Sequence, residues 1–340
     1  MPSLSDLIPK IKPVEEQQVS GMPSPFLISQ SLIKTMINQG HEWLDHCPKQ
    51  IWHLYFEKPK KFSEHKKVFD IGKLGETLLL GGSAKGDSVT ELARSKKDGS
   101  MLTTEINVRR SVVFAEKVFS KHQISVVKLV NTQVPVICKV DGYDDVYLQT
   151  ELDLFPTTFV PNPHKPERQG CIAAIDIKFP SKIKGFGAYS WDNVEHMDHI
   201  QPDSIFYILE RYNKDLCKQF NPEWDKTIGY DNVITPYIQQ FMKNDIKFFY
   251  MVIPYAECGS IEHIKFYERL KCEIGKSPTF RQKEFHQRMV MAIERLKDYF
   301  NKSFYAVPFH DSYRFKGCKY CPVNSVNGGN CNEAITIQSV

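Results

Sequence analysis

Ionisable side chains interrupt two otherwise apolar segments near the middle of the 340-residue chain. Asp153 lies in VYLQTELDLF, residues 146–155, and Asp176 and Lys178 lie in GCIAAIDIKF, residues 170–179. β-branched and aromatic residues dominate both segments, which predicts strands. Side chains two positions apart on a strand point to the same face, so Asp176 and Lys178 are expected to be neighbours. Their burial is unfavourable unless the charges are paired, and the fold must therefore supply a partner.

Two interpretations account for this pattern. In the first, carboxylates on adjacent strands hold a divalent cation, and the neighbouring lysine orients an attacking water and offsets the charge of a phosphate. In the second, Asp176 and Lys178 form a buried salt bridge whose role is structural. The D-x-K triplet taken alone favours the second interpretation, because such triplets are common by chance.

Further motifs, in a consistent order along the chain, resemble those of the PD-(D/E)XK nuclease superfamily, in particular its RecB-like and exonuclease VIII-like branch. The core pattern of that superfamily is an acid in one strand followed by D/E-x-K in the next, and it matches Asp153 and then Asp176 and Lys178. Upstream, this branch has a helix with the pattern G-x-x-x-H/E followed by leucines. The segment GKLGETLLL supplies Gly72 and Glu76 at these positions.

A downstream helix in this branch carries Q-x-x-x-Y, and the resemblance extends over residues 26–331. The segment HIQPDSIFYIL offers Gln201, which is two residues too far from Tyr207, or Asp203, which has the family spacing. Gln201 is the preferred counterpart, because a neutral amide binds a phosphate oxygen or a water without adding negative charge. Tyr207 is expected to face the same cleft as Lys178.

The resemblance implies a Mg²⁺- or Mn²⁺-dependent DNA nuclease, an exonuclease or end-processing enzyme that hydrolyses phosphodiester bonds by in-line attack of water. Glu76, Asp153, Asp176 and the carbonyl of Ile177 would hold the metal, and Lys178 would position the nucleophile. The substrate would be DNA that is single-stranded or has free ends, and a recombination or replication protein is a further candidate partner. The alternative is a noncatalytic nucleic-acid-binding or recombination scaffold that keeps the fold.

Three cysteines lie close together near the C-terminus. Cys318 and Cys321 form C-x-x-C followed by proline, and Cys331 comes ten residues after Cys321. Such spacing predicts a metal site that needs a fourth ligand. The segment around Cys47 resembles the N-terminal helix of iron–sulfur nucleases of the RecB-like branch. This resemblance implies a [4Fe–4S] cluster that joins the two ends of the nuclease domain, with zinc or free thiols as the alternatives.

The remaining cysteines are scattered and are expected to be plain buried residues. An odd total of nine does not fit the disulfide framework of a small secreted protein, so a reducing, cytoplasmic location is expected. No apolar run reaches about 18 residues, and the first residues lack a signal-peptide pattern, so no membrane association is expected. The five scattered residues are Cys138, Cys171, Cys217, Cys258 and Cys272.

Charge and loop composition bear on a nucleic-acid partner. The net charge of +4 is too small to identify one. Residues 49–73 and 271–302 are locally rich in basic side chains, which predicts two basic surfaces or two solvated helical faces. Lys182 and Lys184 follow the D-x-K strand in the loop FPSKIKGFGAYSW and could contact a DNA backbone. No phosphate-binding G-x-x-x-x-G-K-[ST] pattern occurs, which argues against an ATP-driven motor.

Hydrophobic periodicity predicts an α/β (α+β) fold, in which a central mixed sheet is flanked by N- and C-terminal helical parts. Helices are predicted over residues 26–56 with a break near Gly40, 68–80, 110–121, 196–212 and 285–300. Strands are predicted over residues 134–140, 146–155, 170–179 and 247–256.

The organisation of the chain follows from these elements. Five prolines within the first 25 residues predict a flexible leader over 1–25. Residues 26–340 are expected to form a single nuclease domain. Its parts are a helical region (26–130), a catalytic core (131–256) and a C-terminal helix with a cysteine tail (257–340).

Overall fold

A computed structural model of the chain has a mixed α/β architecture, with a six-stranded mixed sheet and helices packed against it. The predicted α/β class with a central mixed sheet and flanking helices is therefore confirmed. Among the residues that the structure describes, no helix combines the length and apolarity that crossing a membrane requires. The structure describes residues 21–36, 48–56, 66–82, 88–127, 131–155, 159–160, 173–184, 200–220, 247–269, 278–302 and 304.

The strands come from both halves of the chain. Strand β3 is parallel to β1 and antiparallel to β2 and β4, while β5 is parallel to β4 and antiparallel to β6. The bounds are β1 (Phe26–Ser29), β2 (Thr132–Lys139), β3 (Val146–Leu154), β4 (Ala173–Lys178), β5 (Lys247–Val252) and β6 (Lys265–Arg269).

Helices precede, interrupt and follow the strands. A π-helical turn over Trp52–Phe56 extends α2, and a short 3-10 turn over Ile261–His263 precedes β6. The bounds of the α-helices are α1 (Gln30–Met36), α2 (Pro48–Ile51), α3 (Lys66–Leu80), α4 (Thr103–Lys121), α5 (Ile200–Glu210), α6 (Lys214–Phe220) and α7 (Pro278–Lys302).

Both faces of the sheet are buried. Helices α1, α5 and α7 contribute to the hydrophobic cluster on one face, and α3 and α4 contribute to the cluster on the other. Successive side chains of β5 alternate between the two clusters, as the two-residue period of a strand requires. Burial on both faces explains why the sequence of β5, KFFYMV, is continuously apolar after Lys247.

Two different strands share one edge of β3. Strand β2 runs along one edge of β3, so β1 and β4 both lie on the other. Strand β1 pairs with residues 146–149, and β4 pairs through Leu154 and Ile175. Residues 150–153 thus lie between the two partner strands, at the point where the sheet changes from one to the other. Asp153 belongs to this stretch.

An aromatic junction of five side chains joins the N-terminal elements to the end of α7. The ring centroids of Trp52 and Phe304 are 5.2 Å apart, and those of Phe56 and Phe300 are 5.1 Å apart. Phe26 of β1 completes the group, with its centroid 5.8 Å from that of Phe300. Buried aromatic pairs at these separations stabilise a core beyond the area that they bury.

Several predicted boundaries require correction. The helix predicted from Phe26 begins at Gln30, because Phe26–Ser29 form a strand whose burial alternates along the parallel pairing with β3. Helix α4 begins at Thr103, seven residues before the predicted start. Strand β6 and helix α6 were not predicted. The predicted break near Gly40, most of the leader and the cysteine tail lie outside the described residues.

Candidate active site

Helix α3 carries Glu76 to the site by packing closely against the residue that follows β4. A Cβ atom on Gly75 would lie 2.5 Å from a ring carbon of Phe179, so any larger residue would have to displace this ring. The close neighbour of Gly75 is thus an aromatic side chain. The C-terminal end of α3 is fixed by the Thr132 hydroxyl, which donates to the Leu80 carbonyl at 3.0 Å.

Asp153 connects β3 to β4 through its side chain. Its Oδ2 accepts the backbone N–H of Ile177 at 2.8 Å. Continuation of the pairing between Leu154 and Ile175 would set Ile177 opposite Leu152. The carboxylate therefore accepts an N–H that a regular antiparallel ladder would direct to the neighbouring backbone. This bond holds the two strands together where the ladder ends.

Asp176 is the buried acidic residue of β4, with 4% of the residue exposed. The Nζ atom of Lys178 lies 2.5 Å from its Oδ2. The side-chain amide of Gln201, in the first turn of α5, donates to its Oδ1. The predictions that Asp176 and Lys178 are neighbours and that Gln201 reaches the site are confirmed.

Burial and mutual repulsion alter the acidity of these groups. Burial raises the pKa of Glu76 to about 7, against the charge of Lys178 and with the charges of Asp176 and Glu151. Burial and the charge of Glu76 raise the pKa of Asp153 to about 7 as well. Burial lowers the pKa of Lys178, but the charges of Asp176 and Asp153 outweigh it and raise that pKa above its usual value. The lysine therefore stays an ammonium.

The donor chemistry of the site fits a hard divalent cation such as Mg²⁺ or Mn²⁺, since Glu76, Asp153 and Asp176 all offer carboxylate oxygens. The N–H and C=O of one strand residue point to the same edge, so the Ile177 carbonyl lies on the edge where its N–H meets Asp153. In the described ranges, no three acidic, histidine or cysteine side chains converge as a metal site.

Two residues of the site, Glu151 and Gln133, were not identified from the sequence. Glu151 precedes Asp153 by two positions on β3, and its charge raises the pKa of both Glu76 and Asp153. The E-x-D spacing within a predicted strand was a signal that could have identified Glu151. Gln133 on β2 donates from Nε2 to Asp153 Oδ1 at 3.4 Å. No local signal marks Gln133, because its position depends on the register between β2 and β3.

Tyr207 lies elsewhere. Its hydroxyl accepts the backbone N–H of Asp141 at 3.0 Å, in the turn that leads into β3 at the end opposite Asp153. The expectation that Tyr207 faces the same cleft as Lys178 is therefore wrong. Gln201 and Tyr207 are six residues apart, about 1.7 helical turns, so they project from different sides of α5 and are separated by about 9 Å along its axis.

The loop after β4 is described only in its first part. Lys182 and Lys184 are both exposed at the end of this strand. The Nζ atom of Lys182 lies 3.8 Å from Glu257 Oε1, a separation at which an exposed ion pair contributes little. Both lysines are thus accessible to solvent at the end of β4.

The predicted cluster ligands lie outside the described residues, as do two of the scattered cysteines. The three cysteines that the structure describes, Cys138, Cys217 and Cys258, are buried as expected. Burial raises the pKa of Cys138 and of Cys258, which keeps these thiols protonated and unreactive. The cysteines outside the described residues are Cys47, Cys171, Cys272, Cys318, Cys321 and Cys331.

Comparison of the chain with protein-family models, with curated proteins and with solved structures finds no match. The interpretation of the site therefore depends on its own residues. These come from α3, β2, β3, β4 and α5, and they combine four carboxylates, one ammonium and two carboxamides.

Proposed function

We propose that the chain is a metal-dependent DNA nuclease that hydrolyses phosphodiester bonds and acts as an exonuclease or end-processing enzyme. The observation that carries this proposal is the juxtaposition of Glu76, Asp153, Asp176 and Lys178, which come from three separate elements. A structural salt bridge would need only one carboxylate for Lys178. The additional half-buried carboxylates are unfavourable without a cation, and this excess favours a catalytic metal site over the structural interpretation.

Each side chain has a distinct task in the proposed reaction. The Ile177 N–H fixes Asp153, and Gln201 fixes Asp176, so both carboxylates keep their orientation. At such a site, a divalent cation supplies polarisation of a phosphate oxygen and activation of water. The side chain of Lys178 is 33% exposed, which would allow its ammonium to meet a phosphate or a water while it stays paired with Asp176.

The test is the release of labelled nucleotides from linear, end-labelled DNA with Mg²⁺ or Mn²⁺. Lys178→Ala and Asp153→Asn should each abolish cleavage and leave most of the DNA affinity intact, because they remove the chemistry and not the contacts with the backbone. Lys139→Ala and Asp144→Asn are matched controls. These two residues form an exposed pair at the opposite end of β3, with Nζ and Oδ1 3.1 Å apart.

The outcomes separate the two candidate functions. Cleavage by the controls and none by Lys178→Ala and Asp153→Asn would support the nuclease. Wild-type rates in either active-site variant would overturn the assignment of these residues. DNA binding by the wild-type protein without metal-dependent cleavage would favour the noncatalytic scaffold.

We also propose that Cys47, Cys318, Cys321 and Cys331 bind a [4Fe–4S] cluster with a structural role. Support comes from the aromatic junction, because Trp52 and the other N-terminal aromatic residues that closely follow Cys47 pack against the end of α7. The chain segments that lead to Cys47 and to Cys318 therefore both start at the aromatic junction. Phosphodiester hydrolysis needs no electron transfer, so the cluster would stabilise the fold and not the reaction.

Protein purified without oxygen should be brown and should contain about four iron atoms per chain. Cys318→Ser should lose the colour and lower the midpoint of urea unfolding, whereas Cys258→Ser, at a buried single cysteine, should keep the iron. Zinc in place of iron in the wild-type protein would refute the iron–sulfur cluster. It would still be consistent with a metal ion that links the two ends of the domain. Full iron in Cys47→Ser would show that the fourth ligand is a different residue.

A further inference from the structure

We infer that Gln133 is a positioning residue, which holds the Asp153 carboxylate in the orientation that the divalent cation requires. This inference rests on the proposed function. Gln133 is 7% exposed and lies opposite Asp153, between two regular pairs of the ladder that joins β2 to β3. Its side-chain Nε2 donates to Asp153 Oδ1 at 3.4 Å, while the Ile177 N–H donates to Oδ2 at 2.8 Å.

The two donors leave Asp153 able to bind a metal. A carboxylate oxygen has two lone pairs, so each oxygen that accepts one hydrogen bond keeps a lone pair for a cation. Asp176 has the same arrangement, since Gln201 donates to one of its oxygens and Lys178 lies beside the other. Hydrogen bonds of this kind orient ligands in metal sites, and their loss typically weakens metal binding by about 10- to 100-fold.

The backbone of Gln133 supports the same conclusion. Its φ is +53°, in the left-handed region that residues with a Cβ rarely adopt. Gln123 has the same φ, but it terminates α4, where the Ile124 N–H returns to the Phe119 carbonyl at 2.8 Å, a common way for a helix to end. Gln133 lies within a strand, where no helix end explains the conformation. Strained backbone of this kind collects at functional sites, and here it lies opposite Asp153.

The experiment compares full-length variants at the two left-handed glutamines. Mn²⁺ binding is measured by titration calorimetry, and stability is measured as the midpoint of urea unfolding. Gln133→Ala and Gln133→Gly should both bind Mn²⁺ at least about 10-fold more weakly than the wild-type protein. Gln133→Gly should have the higher urea midpoint of the two, because glycine adopts a positive φ without steric cost. Gln123→Ala and Gln123→Gly should differ in midpoint in the same direction and keep wild-type Mn²⁺ affinity.

Three results would overturn the inference. Wild-type Mn²⁺ affinity in both Gln133 variants, together with weak binding by Asp153→Asn, would refute the role of Gln133 and leave the proposed metal site in place. A loss of affinity that followed the urea midpoint equally at positions 133 and 123 would show that Gln133 acts only on stability. Failure of the wild-type protein to bind Mn²⁺, or wild-type binding by Asp153→Asn, would overturn the proposed metal site and the inference with it.

Discussion

The two ends of β3 both place an aspartate beside a cation, but they differ in how the charges balance. At the turn that leads into β3, Arg211 donates from Nε and Nη2 to Asp141 Oδ2, each at 2.8 Å. The guanidinium also covers the ring of Tyr207, whose hydroxyl accepts the Asp141 N–H. The hydrogen bond from Arg211 holds the pKa of Asp141 below its usual value. Arg211 thus neutralises Asp141, and its Nη1 also lies 3.7 Å from Glu210 Oε2.

At the other end of β3, the described carboxylates outnumber the ammonium groups that act on them. Burial raises the pKa of Glu76 to about 7; the charges of Asp176 and Glu151 add to this rise, and those of Lys178 and Lys73 oppose it. Local pairing completes the charge balance at the turn, but it leaves an excess of negative charge here. The comparison shows that a carboxylate at either end of β3 becomes a candidate metal ligand through its neighbours, and not through its own residue type.

The largest expected difference between the two ends is in cleavage of DNA. Glu76→Gln should lower kcat/KM at least about 100-fold, because it removes a proposed metal ligand. Asp141→Asn should leave kcat/KM unchanged and lower the free energy of unfolding by about 1 kcal/mol, since the Asp141 side chain is 55% exposed and solvent screens the pair. Equal loss of cleavage in both variants would erase the functional distinction between the two ends.

The pH dependence of stability sharpens the same contrast. Glu76 and Asp153 bind protons more tightly in the folded state than in the unfolded chain, so their contribution to stability is complete at about pH 4 and is lost as the pH rises to about 7. The loss is at most about 1.4 kcal/mol per pH unit for each group. Asp153→Asn should flatten this part of the profile, and Mg²⁺ should stabilise the wild-type protein more at pH 8 than at pH 5.

Urea unfolding of the metal-free protein at intervals across this range provides the measurement. Asp141→Asn is the control, because the lowered pKa of Asp141 has the opposite effect on stability. The stability that Asp141 contributes is lost as the pH falls. A wild-type profile with the same slope as that of Asp153→Asn between pH 5 and pH 7 would contradict the raised pKa of Asp153.

The smallest expected effect concerns the approach of α3. Gly75→Ala should displace the Phe179 ring, lower the free energy of unfolding by about 1–2 kcal/mol and weaken Mn²⁺ binding, because Glu76 moves with the helix. Gly72→Ala is the matched control, since a Cβ at Gly72 meets nothing within 4 Å, and it should stabilise the helix by about 0.5–1 kcal/mol. Denaturation of both variants and Mn²⁺ titration measure the difference.

Sequence motifs predicted the carboxylates and the lysine because their spacing is local to one strand or one helix. Gln133 and the short strand β1 escaped prediction because both depend on β3, which lies far along the chain. The misplacement of Tyr207 has a different cause: a family pattern was applied although the six-residue spacing from Gln201 already put the two side chains on different sides of a helix. Long-range strand pairing thus hid β1 and Gln133 from prediction. The position of Tyr207 could have been predicted from helical geometry alone.

The aromatic junction also determines the order in which the chain can complete its fold. The ribosome synthesises Phe26 and Trp52 early. Phe300 and Phe304, whose rings cover them, are synthesised more than 240 residues later. Closing so long a loop costs conformational entropy, so these contacts form late. Until then the N-terminal elements expose apolar surface that invites aggregation or binding by chaperones. A chain that ends before α7 would keep that surface exposed permanently.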